Sequence, residues 1–237
     1  MTEAPLGART PGAVVHPRIA PRRGAARAST WWGKAWVRAV EEAAYAEGDL
    51  ATARALARSG RVGGITVDAG SFVAAVEDES GLWTASGTLP VLDDGGLTGL
   101  VETVAAESGR IVALLVGELP YGLVEHAEEA GVELVPYGGE FGAACTCDAW
   151  VDPCPHVLAV LYQLAWLMEG DPFVLLQLRG LPRDELLARL HARTETAEPD
   201  GPDAAADDLE TGFDAALRAA RLLELLERPD EPVDHLF

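Results

Sequence analysis

The sequence predicts an α+β fold: a helical N-terminal segment, a small antiparallel β meander, and a cysteine-bearing unit followed by helices. Three observations carry this. Apolar residues near both ends recur at helical spacing. Between them, short β-branched and aromatic runs are divided by turn residues. All three cysteines then fall in one stretch, "CTCDAWVDPCPH" (145–156), directly before an apolar run.

Residues 1–28 hold five Arg with several Pro and Gly but few large apolar groups, and are expected to be a disordered Arg-rich tail. Order is expected from "STWWGKAWVRAVEEAAYAEG" (29–48), where Trp32, Trp36, Val40 and Ala43 form a helical stripe. Ser29 or Thr30 suits its N-cap and Gly48 its end. A second helix, 49–60, ends at Gly60. The runs "GITVDAG", "SFVAAVEDESG" and "LWTASGTLPV" read as a three-stranded meander over 62–92.

Helical spacing returns at Leu97, Leu100, Val101 and Val104, with Gly109 as the expected stop. Two helical pieces broken near Pro120 follow, and "VELVPY" (132–137) is expected to be a strand leading to the cysteines. Beyond His156 the chain reads as a buried helix to about Met168. A helix opened by Asp171 and Pro172 and stopped by Gly180 comes next, then an amphipathic helix over 181–193.

These readings give five regions: the tail 1–28, an α+β region 29–135, the cysteine unit with its helices 136–193, an acidic linker 194–210, and a C-terminal region 211–237. In the last, residues 211–227 place Phe213, Leu217, Ala220, Leu223 and Leu226 on one helical face.

Charge is uneven. The whole chain carries −20, yet residues 1–61 have ten Lys/Arg against five Asp/Glu. Arg18, Arg22, Arg23, Arg27, Lys34 and Arg38 are therefore the candidate nucleic-acid contacts, since a uniformly acidic surface repels a phosphate backbone. No apolar run reaches the roughly 20 residues of a membrane span, and no apolar stretch follows Arg22–Arg23, so a cytoplasmic location is expected.

The cysteines have the spacing C-x-C-x6-C-x-H. Three thiols cannot all pair, and a Cys145–Cys147 bridge would close a strained loop. A reactive Cys154 with His156 as base would leave two thiols unexplained. A metal accounts for all four groups. Cys145 and Cys147, two apart on an extended strand, face one side. Pro155 at a first helical position leaves Cys154 and His156 together at a helix entrance. Cys145, Cys147, Cys154 and His156 are thus the expected ligands of one structural Zn²⁺ in a ββα-like zinc finger, with no coordination position left for catalysis. Trp150 is expected to pack over this site.

The spacing and the "CPHVLAVLY" continuation resemble the SWIM zinc finger. A wider resemblance, through "TWWGKAWVRAVE", "GELP" and "DPFVLLQLRG", is to bacterial SWIM zinc finger family proteins. That resemblance implies a DNA-binding or protein-interaction module associated with a Swi/Snf-type helicase-like ATPase. The chain has no Walker A motif, so the motor would be a separate polypeptide. Glu140, Asp148 and Asp152 put acid at the expected rim of the finger, which favours a protein partner there. Direct DNA binding through the basic N-terminal region is the alternative. H-E-x-x-H is absent, and His16, His126, His191 and His235 lack catalytic neighbours, so no enzyme activity is expected.

Overall fold

A computed structural model describes residues 12–23 and 28–196. The Arg27 position, most of the acidic linker and the helical face of 211–227 lie outside the described residues. The compact unit ending at Leu190 carries every described element except the last turns of α8.

Four elements precede the meander's first turn. Strand β1 is Val14–His16, helix α1 Trp31–Ala43, helix α2 Glu47–Ser59 and strand β2 Val62–Asp68. Strands β3 (Ser71–Glu77) and β4 (Leu82–Thr88) complete the meander. Helices α3 (Asp94–Ala105), α4 (Ser108–Leu115) and α5 (Tyr121–Glu129) follow. Strand β5 (Gly142–Cys145) leads into α6 (Pro155–Gly170), α7 (Phe173–Leu178) and α8 (Arg183–Thr196). The sheet order is β1-β2-β3-β4-β5, antiparallel throughout.

Helix α6 is the centre of the core. Every residue from His156 to Trp166 is buried, which is the pattern of a helix enclosed on all sides rather than an amphipathic one. Helices α1 and α2 pack against it, and the sheet's inner face meets it through β2 and β4. That inner face is Ile65, Val67, Phe72, Ala74, Val76 and Ala85, alternating with more exposed neighbours as a one-sided sheet requires.

The tryptophan stripe is core, and each buried indole finds an acceptor. Trp32 Nε1 donates to Met168 O at 3.0 Å and Trp36 Nε1 to Leu161 O at 2.9 Å, both on α6. Thr30 caps α1 by accepting from Gly33 N at 3.1 Å. Across from it, Glu169 Oε1 accepts from Thr30 N at 2.8 Å and from the hydroxyls of Ser29 and Thr30 at 3.0 and 3.2 Å. Gly33 permits this approach: a Cβ there would sit 2.8 Å from Glu169 Cγ. Gly60 ends α2 with φ 75°, a left-handed conformation that favours glycine.

Several expectations need correction. Val14–His16, inside the segment read as a disordered tail, pair with Ile65–Val67 and form the sheet's edge. Three residues between loop segments are too few to show a strand periodicity. Gly48 lies inside α2 while α1 ends at Ala43, and Gly109 lies inside α4. Residues 132–137 form no strand. Buried Val132 and Leu134 pack into the core, but the Leu134 carbonyl accepts from Arg179 Nε at 2.9 Å instead of from a neighbouring strand. The boundary drawn at 135/136 is crossed by the sheet, because β5 pairs with β4 in the register Ala85↔Cys145 to Thr88↔Gly142. The finger's strand is thus the fifth strand of the meander's sheet.

Candidate metal centre

Strand β5 delivers the first two ligands. Thr146 N donates to Thr84 O at 3.1 Å and Thr84 N donates to Thr146 Oγ1 at 2.9 Å, so the chain stays extended past Cys145. Alternation along an extended chain then turns Cys145 and Cys147 to one side. The loop 148–153 reverses the chain. Cys154 has the extended backbone of an N-cap residue, and its carbonyl accepts from Leu158 N at 3.0 Å. Pro155 opens α6 with the fixed φ suited to a first helical position. Cys154 and His156 therefore stand together at the helix entrance.

The four donor atoms lie within 4.8 Å of one another. His156 Nδ1 is 3.9 Å from Cys145 Sγ and 3.8 Å from Cys154 Sγ. A tetrahedral zinc with ordinary bond lengths would set sulfur and nitrogen ligands ~3.5 Å apart, so the residues fit the ion. The donor set Cys₃His is that of one structural Zn²⁺, and it is complete. Burial pushes the Cys145 thiol up to about 12 and raises Cys154 as well. Burial acts the same way on Cys147, but its bonds to the Ala149 backbone and to His156 outweigh it and lower that thiol.

The other imidazole nitrogen is also engaged. His156 Nε2 lies 2.9 Å from Asp78 Oδ2, a carboxylate in the β3–β4 turn, 78 positions away in sequence. Donation from Nε2 to Asp78 leaves Nδ1 bare and facing the sulfurs, as a metal-ligating histidine needs. Asp78 is itself held from all sides. Its Oδ1 accepts from Ser80 N, Ser80 Oγ, Gly81 N and Trp83 Nε1 at 2.8, 2.6, 3.0 and 3.1 Å. The Ser80 hydroxyl, then His156 and Trp83, hold its carboxyl well below the usual carboxylate range against the opposing effect of burial. Sequence reading took "DESG" as a turn and missed this role. The signal was an Asp opening a turn, which does not reveal a distant partner.

Two expectations about the rim fail. Trp150 is 81% exposed and does not cover the site; its ring sits edge-to-face with Tyr45 at 5.2 Å. The indole beside the ligands is Trp83, 6.1 Å from the His156 ring. Glu140 is not a free acid either. Its Oε1 accepts from buried Arg179 at 3.0 Å, leaving Asp148 and Asp152 as the exposed carboxylates of the loop between Cys147 and Cys154.

The candidate nucleic-acid residues separate into groups. Arg18 Nε donates to the Gly60 carbonyl. The Arg22 guanidinium lies 4.5 Å over the Trp166 ring. Arg23 is exposed, and Arg27 lies outside the described residues. Lys34 and Arg38, exposed on α1, line a cavity together with Arg54 and Arg58 of α2, which the sequence reading did not single out.

Comparison with known proteins agrees with the geometry. Residues 130–165 match the family model of the SWIM zinc finger. The chain is similar to "Uncharacterized protein Rv2102" of Mycobacterium tuberculosis, at 32% identity over 185 residues. That alignment takes in 77% of this chain, which spans 65% of the relative's length. No solved structure matches the chain. No described helix is long and apolar enough to cross a membrane. The four ligand positions fall inside the matched residues, and segment 130–165 of this chain is a SWIM zinc finger.

Proposed function

We propose that the protein is a non-enzymatic, zinc-stabilised adaptor of the cytoplasm. Its partner on this reading is a Swi/Snf-type helicase-like ATPase engaged in nucleic-acid transactions, as the resemblance implies. The observation that carries the adaptor role is the Tyr45–Trp150 pair. Both rings are largely exposed, and Trp150 sits on the loop between zinc ligands Cys147 and Cys154. Exposed tryptophan and tyrosine on a rigid support are the usual anchors of protein interfaces. Asp148 and Asp152 on the same loop favour a partner with a basic rim around an apolar pocket. A complete set of four zinc ligands leaves no open position for chemistry.

The test uses the zinc-loaded full chain and its Trp150→Ala variant as baits for the ATPase at micromolar concentration. The wild type retains the ATPase, and the variant loses it while keeping its zinc. Equal recovery by both, or no ATPase with either, refutes the reading.

A further inference from the structure

A second surface, away from the zinc ligands, has a different chemistry. Helices α1 and α2 flank a cavity of about 570 Å³ whose lining includes Tyr162 and Trp166 of α6. Lys34 and Arg38 line it from α1, and Arg54 and Arg58 from α2. Each pair is spaced i, i+4, so each projects from a single helix face, with a rise of ~6 Å between members. Glu41 of α1 also lines it and is paired with Arg54, so four cations stand against one acid on the two sides of a groove, a balance that suits a chain of regularly spaced phosphates.

Not all of this charge is spent internally. Arg38 pairs with Glu42 at 2.9 Å, and Arg54 with Glu41 at 3.3 Å and with Glu47. Lys34, Arg58 and Arg22 make no ion pair among the described residues. Arg22 is nonetheless fixed: its guanidinium stacks on Trp166 and its backbone N donates to Arg58 O at 3.0 Å. Tyr162 adds a hydroxyl within 3.5 Å of Arg54. A chain of net charge −20 thus keeps two cations without ion pairs in the groove's lining, Lys34 and Arg58, and a third, Arg22, stacked on the lining residue Trp166.

We infer that this groove binds the phosphodiester backbone of a single nucleic-acid strand, with Lys34, Arg58 and Arg22 as phosphate contacts. Arg38 and Arg54 exchange carboxylates for phosphates as the strand enters. A cavity of about 570 Å³ is too small to enclose a duplex, so a chain that enters it does so as a single strand. The site goes beyond the adaptor reading and does not depend on the ATPase.

The test is fluorescence anisotropy of a labelled mixed-sequence 20-nucleotide strand with the zinc-loaded full chain, from 50 to 200 mM salt. The expected result is salt-sensitive binding that the double variant Lys34→Glu/Arg58→Glu weakens at least ~10-fold, with the log–log salt slope falling by about 1.4 for two lost phosphate contacts. Arg189→Glu on α8 should leave both unchanged, and thermal melts confirm that all variants fold. Wild-type affinity in the double variant overturns the inference. So does an equal loss with Arg189→Glu, tighter binding of the duplex, full displacement of the strand by millimolar inorganic phosphate, or no binding at 50 mM salt. Any of these would leave the pull-down result for Trp150 standing.

Discussion

Replacing Asp78 with Asn should weaken zinc binding without touching a ligand. The wild-type carboxylate takes the Nε2 proton of His156 at 2.9 Å while its other oxygen ties the β3–β4 turn through four bonds. Asn keeps the volume and one acceptor oxygen. If that oxygen stays with Ser80, Gly81 and Trp83, the amide NH₂ faces His156 Nε2–H, donor against donor. His156 must then either withdraw from the turn or move its proton to Nδ1, where it opposes the metal. If the amide turns the other way, the NH₂ confronts the N–H groups of Ser80, Gly81 and Trp83, and the turn that holds the acceptor of His156 in place is lost. Either outcome costs the orientation of one ligand, and loss of such a partner typically lowers metal affinity 10–100-fold, about 1.4–2.8 kcal/mol. Competition against a chromophoric chelator measures the zinc affinity directly. Ser80→Ala is the control: it removes one of the four donors to Oδ1 and leaves the His156 contact in place, so its effect should stay under threefold. Equal zinc affinity in wild type and Asp78→Asn would refute the assigned role, whatever the variant does to stability.

Arg179→Met should destabilise the fold by about 3–5 kcal/mol, read by urea denaturation, because it strands a largely buried Glu140 and frees the carbonyls of Leu134 and Pro90; a loss under 1 kcal/mol would contradict this. Glu169→Gln should remove about 1–3 kcal/mol at pH 7, since the carboxylate accepts bonds from Ser29 and Thr30 at the start of α1. Burial raises the Glu169 carboxyl, but these bonds outweigh it and the folded value lies below the ordinary 4.5. Its contribution is therefore complete above pH 4.5 and fades as pH falls through the lower folded value, so wild type and variant stabilities should converge in acid. Parallel stability curves from pH 7 to 3 would show the bonds carry no such weight.

What could be read from the sequence was what local spacing specifies. The three tryptophans of α1, the meander's turns and the four zinc ligands all declare themselves within a dozen residues. The missed features depend on partners far along the chain. Val14–His16 is a strand only because β2 offers it an edge. Residues 132–137 have the composition of a strand, yet Arg179, more than forty positions later, takes the Leu134 carbonyl. Glu140 looked like surface acid for the same reason. Trp150 was assigned to the site by proximity in sequence, whereas Trp83 reaches it through the sheet. The basic groove needed Arg54 and Arg58, which look like ordinary surface residues of α2 until α1 is set beside them.

The pairing of β5 with β4 makes this finger a poor candidate for transplantation. A fragment cut at 130–165 would leave behind both β4, the strand against which Cys145 is paired, and the turn that orients His156. Zinc occupancy and the order of the sheet edge are coupled by thermodynamic reciprocity. Metal removal should raise amide exchange along the edge strand Gly142–Cys145 and its neighbour Leu82–Thr88, and a partner whose affinity for that edge zinc raises should tighten zinc by the same factor. A chelator would then act on the sheet as well as on the finger.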